Sequence, residues 1–528
     1  MEDKNIEKNK SRLKIYYSLL ITIICIIGVS FAWFRLYLSQ SENNTLASRT
    51  CFNTTLTEET SKIALTDEFP IVDEKGLKKT PFTFTVKNNC SSYVKMYITI
   101  DSTYRTSTSS SYLKDNYIKV NLSPKGTTDN NSVILGEQSL TDLDNNSKGY
   151  ILLSTGLKAN EEKSYDLRIW MDEAVTVEQG LNKAWSGKIV VVTSAAQYTP
   201  TLNETILAKN KVKTPLTTPG STVSIAGEAL LASTEDDYGT SYYFRGAVKN
   251  NYVQFANKCW RIVRIVGDGS VKLVLHNDNT SKAANPCSSA NNSEDAAFAR
   301  HDDQTRLFSV FNYDYGDNAY VGFMYGTAGA SDYASAHANT NKSTILNNLE
   351  TWYTNNLASY ENKLADTIWC NDKSTVSGGL GYGTNDTNYG VYNRLFSTKQ
   401  PTLKCPNDNN GGKLSKFTVN DTTNGNGNLT YKIGLLTIDE LVFAGYATSG
   451  NNVTTYLQEN AADVYWTLSP LGFNGGTAFV WNVHGDSGNV NNEYAGHIFE
   501  IRPAISLVSD ITISGGSAGT SEDPYVIN

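Results

Sequence analysis

The chain lacks what nucleic-acid and phosphate binding require. After residue 14 it has no basic run; segment 2–14 carries +2 of a net charge of −8, leaving the remainder near −10. Backbone phosphates call for Lys/Arg stripes, so nucleic acid is excluded as a partner. No G-K-[ST] triplet occurs, which removes the P-loop, and neither VSGGLGYGT (376–384) nor the glycines at 267–269 are followed by a helix pattern. No C-x-x-C occurs and the five histidines are scattered, so a zinc site is not expected. No cofactor is expected. Charged residues are scarce at 19%, whereas 31 tyrosines raise the aromatic content to 11%; that balance fits globular, β-rich domains and not disorder. The length allows about three units at roughly 150 residues each.

One long stretch has no charge at all. Ile15–Phe34, IYYSLLITIICIIGVSFAWF, would cover about 30 Å as a helix, the thickness of a hydrocarbon core. Basic residues precede it, which places segment 1–14 in the cytoplasm and everything after about residue 39 outside. Residues 15–38 are therefore read as a transmembrane anchor or, because Ser30-Phe31-Ala32 resembles a cleavage site, as a signal segment. The six cysteines beyond it suit an oxidising exterior, with Cys51–Cys90, Cys259–Cys287 and Cys370–Cys405 the most economical of fifteen pairings. Free buried thiols are the other reading.

The segment 45–198 reads as a β-sandwich domain. Phe82, Phe84 and Val86 alternate, as do Val94, Met96 and Ile98, and EKSYDLRIWM (162–171) and GKIVVVTSA (187–195) continue the pattern between turn signals. Pro200, Pro215 and Pro219 amid threonines predict a linker at 199–225. Next, Ile262, Val263, Ile265 and Val266 lead into Gly267-Asp268-Gly269-Ser270 and VKLVLH, a hairpin by turn chemistry. Ile345, Leu349, Trp352, Tyr353 and Leu357 repeat at helical spacing within 343–357, and Thr437 with Glu440 forms a capping box ahead of a second helix.

The leader ending GVSFAWF, followed by SQSENNT, resembles the start of camelysin/TasA-type surface proteins of Gram-positive bacteria, over about 1–198. That resemblance implies a role as a matrix fibre subunit. The order CWRIVRI, helix, IGLLTIDELVFAG, VYWTLSP, GTAFVWNV, HIFEIRPAISL resembles an uncharacterised surface domain of gut Gram-positive bacteria. That domain is itself similar to the C-type lectin-like and formylglycine-generating-enzyme fold. It implies an α+β lectin-like domain over 226–513, closed by a C-terminal strand or tail at 514–528. The expected architecture is thus an N-terminal transmembrane helix, an all-β sandwich and an α+β C-type lectin-like domain.

Catalysis finds little support. GGSAG (515–519) matches the nucleophile elbow but lies in a Gly/Ser-rich tail with no later histidine. The cysteine pair used by the sulfatase-activating relatives has no counterpart after Cys405. DLDNN (142–146) and CPNDNNGG (405–412) miss the calcium-loop pattern and read as turns. Sugar-binding lectins hold calcium with a Trp-Asn-Asp strand; here Trp481 and Asn482 are followed by Val483, and no Glu-Pro-Asn exists, which argues against that mode.

The stretch GTAFVWNVHGDSGNV (476–490) admits two readings: a two-faced core strand ending in a solvated hairpin, or a recognition rim. The second makes Trp481, Asn482, His484, Asp486, Asn489, Asn491 and Asn492 the candidate ligand surface. Arg502 reads as a buried ion-pair partner. The resulting expectation is a non-catalytic cell-surface protein for adhesion or ligand recognition, single-pass in the membrane through 15–38, with a glycan or protein ligand outside. The alternative is a secreted structural subunit of a surface fibre or biofilm matrix after leader cleavage.

Overall fold

The computed structural model describes residues 54–528 except 59–62, 66–67, 107–110, 128–132, 196–198, 302–304 and 449–452. The expected cytoplasmic segment, membrane segment, cleavage site and Cys51 lie outside the described residues. Among the described residues no helix is long and apolar enough to cross a membrane. Contacts divide the chain into two compact units between Tyr198 and Thr199.

The first unit contains β1 (Thr54–Glu58), β2 (Ile63–Leu65), β3 (Phe82–Asn88), β4 (Val94–Ser102), β5 (Ile118–Pro124), β6 (Leu135–Ser139), β7 (Asn145–Asn146), β8 (Gly149–Leu157), β9 (Glu162–Met171) and β10 (Trp185–Ala195). They form two antiparallel five-stranded sheets, β1-β3-β9-β5-β6 and β2-β10-β4-β8-β7. Successive strand residues face opposite ways, so each alternating run presents one apolar face. Phe82, Phe84 and Val86 of one sheet share a buried cluster with Val94, Met96, Ile98 and Ile100 of the other. The sandwich read from the alternation is therefore present. Buried Asp115 ties one corner of it, accepting from Ser102 Oγ at 2.7 Å, Trp185 Nε1 at 2.8 Å and Tyr150 Oη at 3.1 Å.

The second unit is built on β11 (Ala229–Asp236), β12 (Gly239–Gly246), β13 (Tyr252–Phe255), β14 (Lys258–Ile265) and β15 (Val271–Asn277), followed by β16 (Val464–Asn474), β17 (Thr477–His484), β18 (Asn489–Tyr494), β19 (Ala504–Leu507) and β20 (Tyr525–Ile527). One sheet runs β11-β12-β14-β13-β20, with β15 joining β14 to β19. The other runs from Phe308–Ser309 through Phe499–Glu500 to β16, β17 and β18. The β14–β15 hairpin turns at 267–270, where Asp268 Oδ1 accepts from Ser270 N and Gly269 takes φ +88°. Only glycine adopts that backbone without strain.

Three helices matter for the site: α1 (Leu202–Lys209), α2 (Thr344–Asn356) and α3 (Ile438–Ala444). Ser343 caps α2 through Leu346 N, and its periodic residues Ile345, Leu349, Trp352 and Tyr353 are all buried. The predicted Thr437/Glu440 capping box opens α3. Both sheets and all three helices contribute to one core cluster.

The expected linker is a correction. Within 199–225, Thr201 and Glu204 form a capping box for α1, whose Leu202 and Ile206, one turn apart, are fully buried in the second unit's core. Further on, Leu216 N and Thr217 N donate to Glu228 Oε1. Prolines here shape a packed approach rather than a free tether, because the i,i+4 apolar pair outweighs the loop composition.

Two disulfides join Cys259 to Cys287 and Cys370 to Cys405, and Cys90 is also disulfide-bonded. Free thiols at these five positions are ruled out. Such bonds persist in oxidising compartments.

Candidate functional site

The densest group of charges lies inside the second unit. Arg264 Nη1 meets Asp236 Oδ2 at 2.5 Å, Arg264 Nε meets Glu440 Oε1 at 3.0 Å, and Lys272 Nζ meets the same Glu440 oxygen at 2.6 Å. Arg394 continues the chain, at 2.6 Å from Asp372 and 2.9 Å from Asp439. Lys272 also stands 4.3 Å from the centroid of the Trp369 ring. The free space among these side chains holds roughly one ordered water, too little for a ligand. The group is thus a structural network that fastens α3 to β14 and β15.

Its protonation has a measurable consequence. Burial alone would raise the Glu440 carboxyl, but the adjacent Lys272 and Arg264 outweigh it and bring the pKa down to about 2. The unfolded chain therefore binds this proton more tightly than the folded one. The stabilisation is fully present above the ordinary value of 4.5 and is lost as pH falls through about 2. Acid titration of unfolding, monitored by near-ultraviolet circular dichroism, should show a loss of stability across that window. Glu440→Gln should flatten it.

The predicted recognition rim comes together only in part. β17 and β18 pair antiparallel with Trp481 opposite Asn492, Asn482 opposite Asn491 and His484 opposite Asn489. Gly485–Gly488 make the turn, so the return strand is where the sequence placed it. Trp481 and Asn482 are corrections: both are fully buried, on opposite faces of β17. The Trp481 ring stacks on Phe396, with centroids 5.3 Å apart, which closes off the face it was expected to show. Of the others, Asp486 and Asn491 are exposed, while His484, Asn489 and Asn492 are half-buried. Arg502 is buried as expected but is not ion-paired among the described residues. It donates to the Leu275 and Leu457 carbonyls at 3.0 and 2.7 Å.

A different surface stands out beside β18. Tyr313 is 82% exposed, Ile498 61%, Phe308 48% and Tyr315 42%, an uncommon concentration of large apolar groups in solvent. Tyr315 is one end of a row of touching rings. Tyr315 lies 5.1 Å from Tyr494, Tyr494 5.5 Å from His497, and His497 4.5 Å from Phe499. The Tyr315 ring sits directly over Gly496, where any Cβ would fall 2.5 Å from Tyr315 Cδ1. The rings are fixed from below: Ala478 N donates to the Tyr315 carbonyl and Asn312 N to the Ala495 carbonyl. His497 Nδ1 is shielded from solvent and makes no hydrogen bond among the described residues. Of the predicted rim residues, Asn492 shares a strand face with Tyr494.

The sequence carried a faint signal for this surface. In FNYDYGD (311–317) aromatics stand at every second position; Phe311 is fully buried, whereas Tyr313 and Tyr315 are exposed.

Two of the remaining motifs resolve as turns, whereas DLDNN runs into strand β7. Ser517 N and Oγ donate to Asp523, and Gly515 bridges Val526, so GGSAG is the loop that seats β20. Asp408 accepts from the backbone N–H groups of Asn410, Gly412 and Leu414. No cluster of His, Cys, Asp and Glu suited to a metal occurs among the described residues.

No protein-family model and no curated protein sequence matches the chain.

Proposed function

We propose that the protein is a non-catalytic recognition or adhesion protein of the cell exterior, anchored through residues 15–38, whose second unit has a C-type lectin-like fold and carries the ligand surface. The observation behind this reading is the exposed aromatic surface of Phe308, Tyr313, Tyr315, Tyr494, His497, Ile498 and Phe499. Rigid rings with polar edges bind at low entropic cost: Tyr presents a flat apolar face and a hydroxyl, both useful against a sugar ring or a protein. The disulfides agree with an extracellular location. Asn492, kept from the predicted rim, supplies an amide on the same strand face as Tyr494.

The test is binding of the full-length protein to glycan and host-protein arrays, followed by titration of each hit. Tyr313→Ala and Tyr315→Ala should each weaken binding roughly 30-fold, the effect of removing an aromatic hot spot worth about 2 kcal/mol, without altering the unfolding midpoint. Binding unchanged in both variants would reject this surface as the ligand site.

A further inference from the structure

Lys373 takes no part in the network or the aromatic surface. It is fully buried, and the hydrogen bonds of its Nζ among the described residues go to neutral oxygens. Its Nζ donates to Asn339 Oδ1 at 2.7 Å and to the Met324 carbonyl at 2.9 Å, 5.0 Å from the centroid of the buried Phe417 ring. Lysine is almost never fully buried unless it is paired. Burial pulls its pKa down to about 7, against the opposing field of Asp408. Near neutral pH a large fraction of this amine is therefore unprotonated and carries a free lone pair.

Its partner is equally fixed. Asn339 is 4% exposed and donates from Nδ2 to the Leu414 carbonyl at 3.2 Å. Lys373 is held at its backbone, where N donates to Ser415 Oγ at 2.9 Å and the carbonyl accepts from the Tyr333 hydroxyl. The fold thus confines a desolvated amine against a carboxamide, out of water. Proximity of that kind replaces a slow bimolecular encounter with an intramolecular one.

We propose that Lys373 and Asn339 join in an intramolecular amide cross-link. The Nζ lone pair attacks Asn339 Cγ; the Nζ–Cγ bond forms, the Cγ–Nδ2 bond breaks, and Nδ2 leaves as ammonia with one proton from Nζ. No oxidant or co-reactant is consumed. Asp408, whose two oxygens already accept from backbone N–H groups, acts on Nζ only through its field. The bond would tie the loop holding Asn339 to the segment that Cys370–Cys405 already fastens.

The experiment is peptide mapping of the full-length protein after reduction and alkylation. The expected result is a branched peptide containing Lys373 and Asn339, lighter by one ammonia than its two arms together, with trypsin failing to cut after Lys373. Recovery of both residues in separate, unmodified peptides overturns the proposal in the wild-type protein alone, whatever the variants do. Lys373→Arg and Asn339→Ala should each abolish the branched peptide. Its survival in either would place the bond elsewhere and overturn the assignment.

Discussion

Glu440→Ala should destabilise the second unit by about 3–5 kcal/mol, the loss expected when one partner of a buried ion pair is removed. Arg264 and Lys272 both contact Glu440 Oε1, and each is almost entirely shielded from water. Without the carboxylate, Arg264 keeps Asp236 and Ser241 Oγ, and Lys272 is left against the face of Trp369. The same substitution removes the capping box, since Thr437 N donates to Glu440 Oε2. Equilibrium denaturation of the variant should therefore show a large fall in midpoint. Glu74→Ala, on an exposed pair with Lys78, should leave it within error of wild type. A midpoint within error of wild type for Glu440→Ala would mean the network is solvated and not part of the core.

Trp481→Ala is the second large effect, and it separates a core residue from a ligand contact. The side chain is fully buried, stacked on Phe396 and packed in the common cluster with Val483 and Trp466. Truncating a tryptophan in such a place costs about 3–5 kcal/mol through lost transfer energy and the cavity left behind. The expected result is a marked loss of stability; at temperatures where the variant is still folded, ligand affinity should change far less than in Tyr315→Ala. The opposite pattern, normal stability with lost binding, would return Trp481 to the recognition rim.

How much was legible follows from the range of the interactions. The β14–β15 hairpin, the stripe of α2 and the cap of α3 depend on residues within a few positions of each other, and periodicity and turn chemistry expose them. Alternation in β17 showed two faces but not that both are covered. Phe396, which covers Trp481, comes from a segment far earlier in the chain. Glu440 illustrates both cases: its role as a cap is local and was visible, whereas its ion pairs reach back to β14 and β15 and were not. The segment 199–225 misled for a related reason. Proline and threonine describe local stiffness, while Leu202 and Ile206 are buried in a core assembled from residues outside that segment. Tyr313 and Tyr315 were missed because an exposed aromatic and a core aromatic look alike until the core is known.

The base of the second unit has one more consequence. Leu202 N donates to the Ile511 carbonyl at 2.8 Å, and Thr201 bridges Thr512 in antiparallel fashion. The path into this unit is thus clamped beside a late stretch of the chain, which then returns into the core sheet as β20 against β13. Tension applied ahead of Thr201 meets the Thr201–Thr512 bridge first, whereas tension applied after Ile527 meets the β13–β20 pairing first.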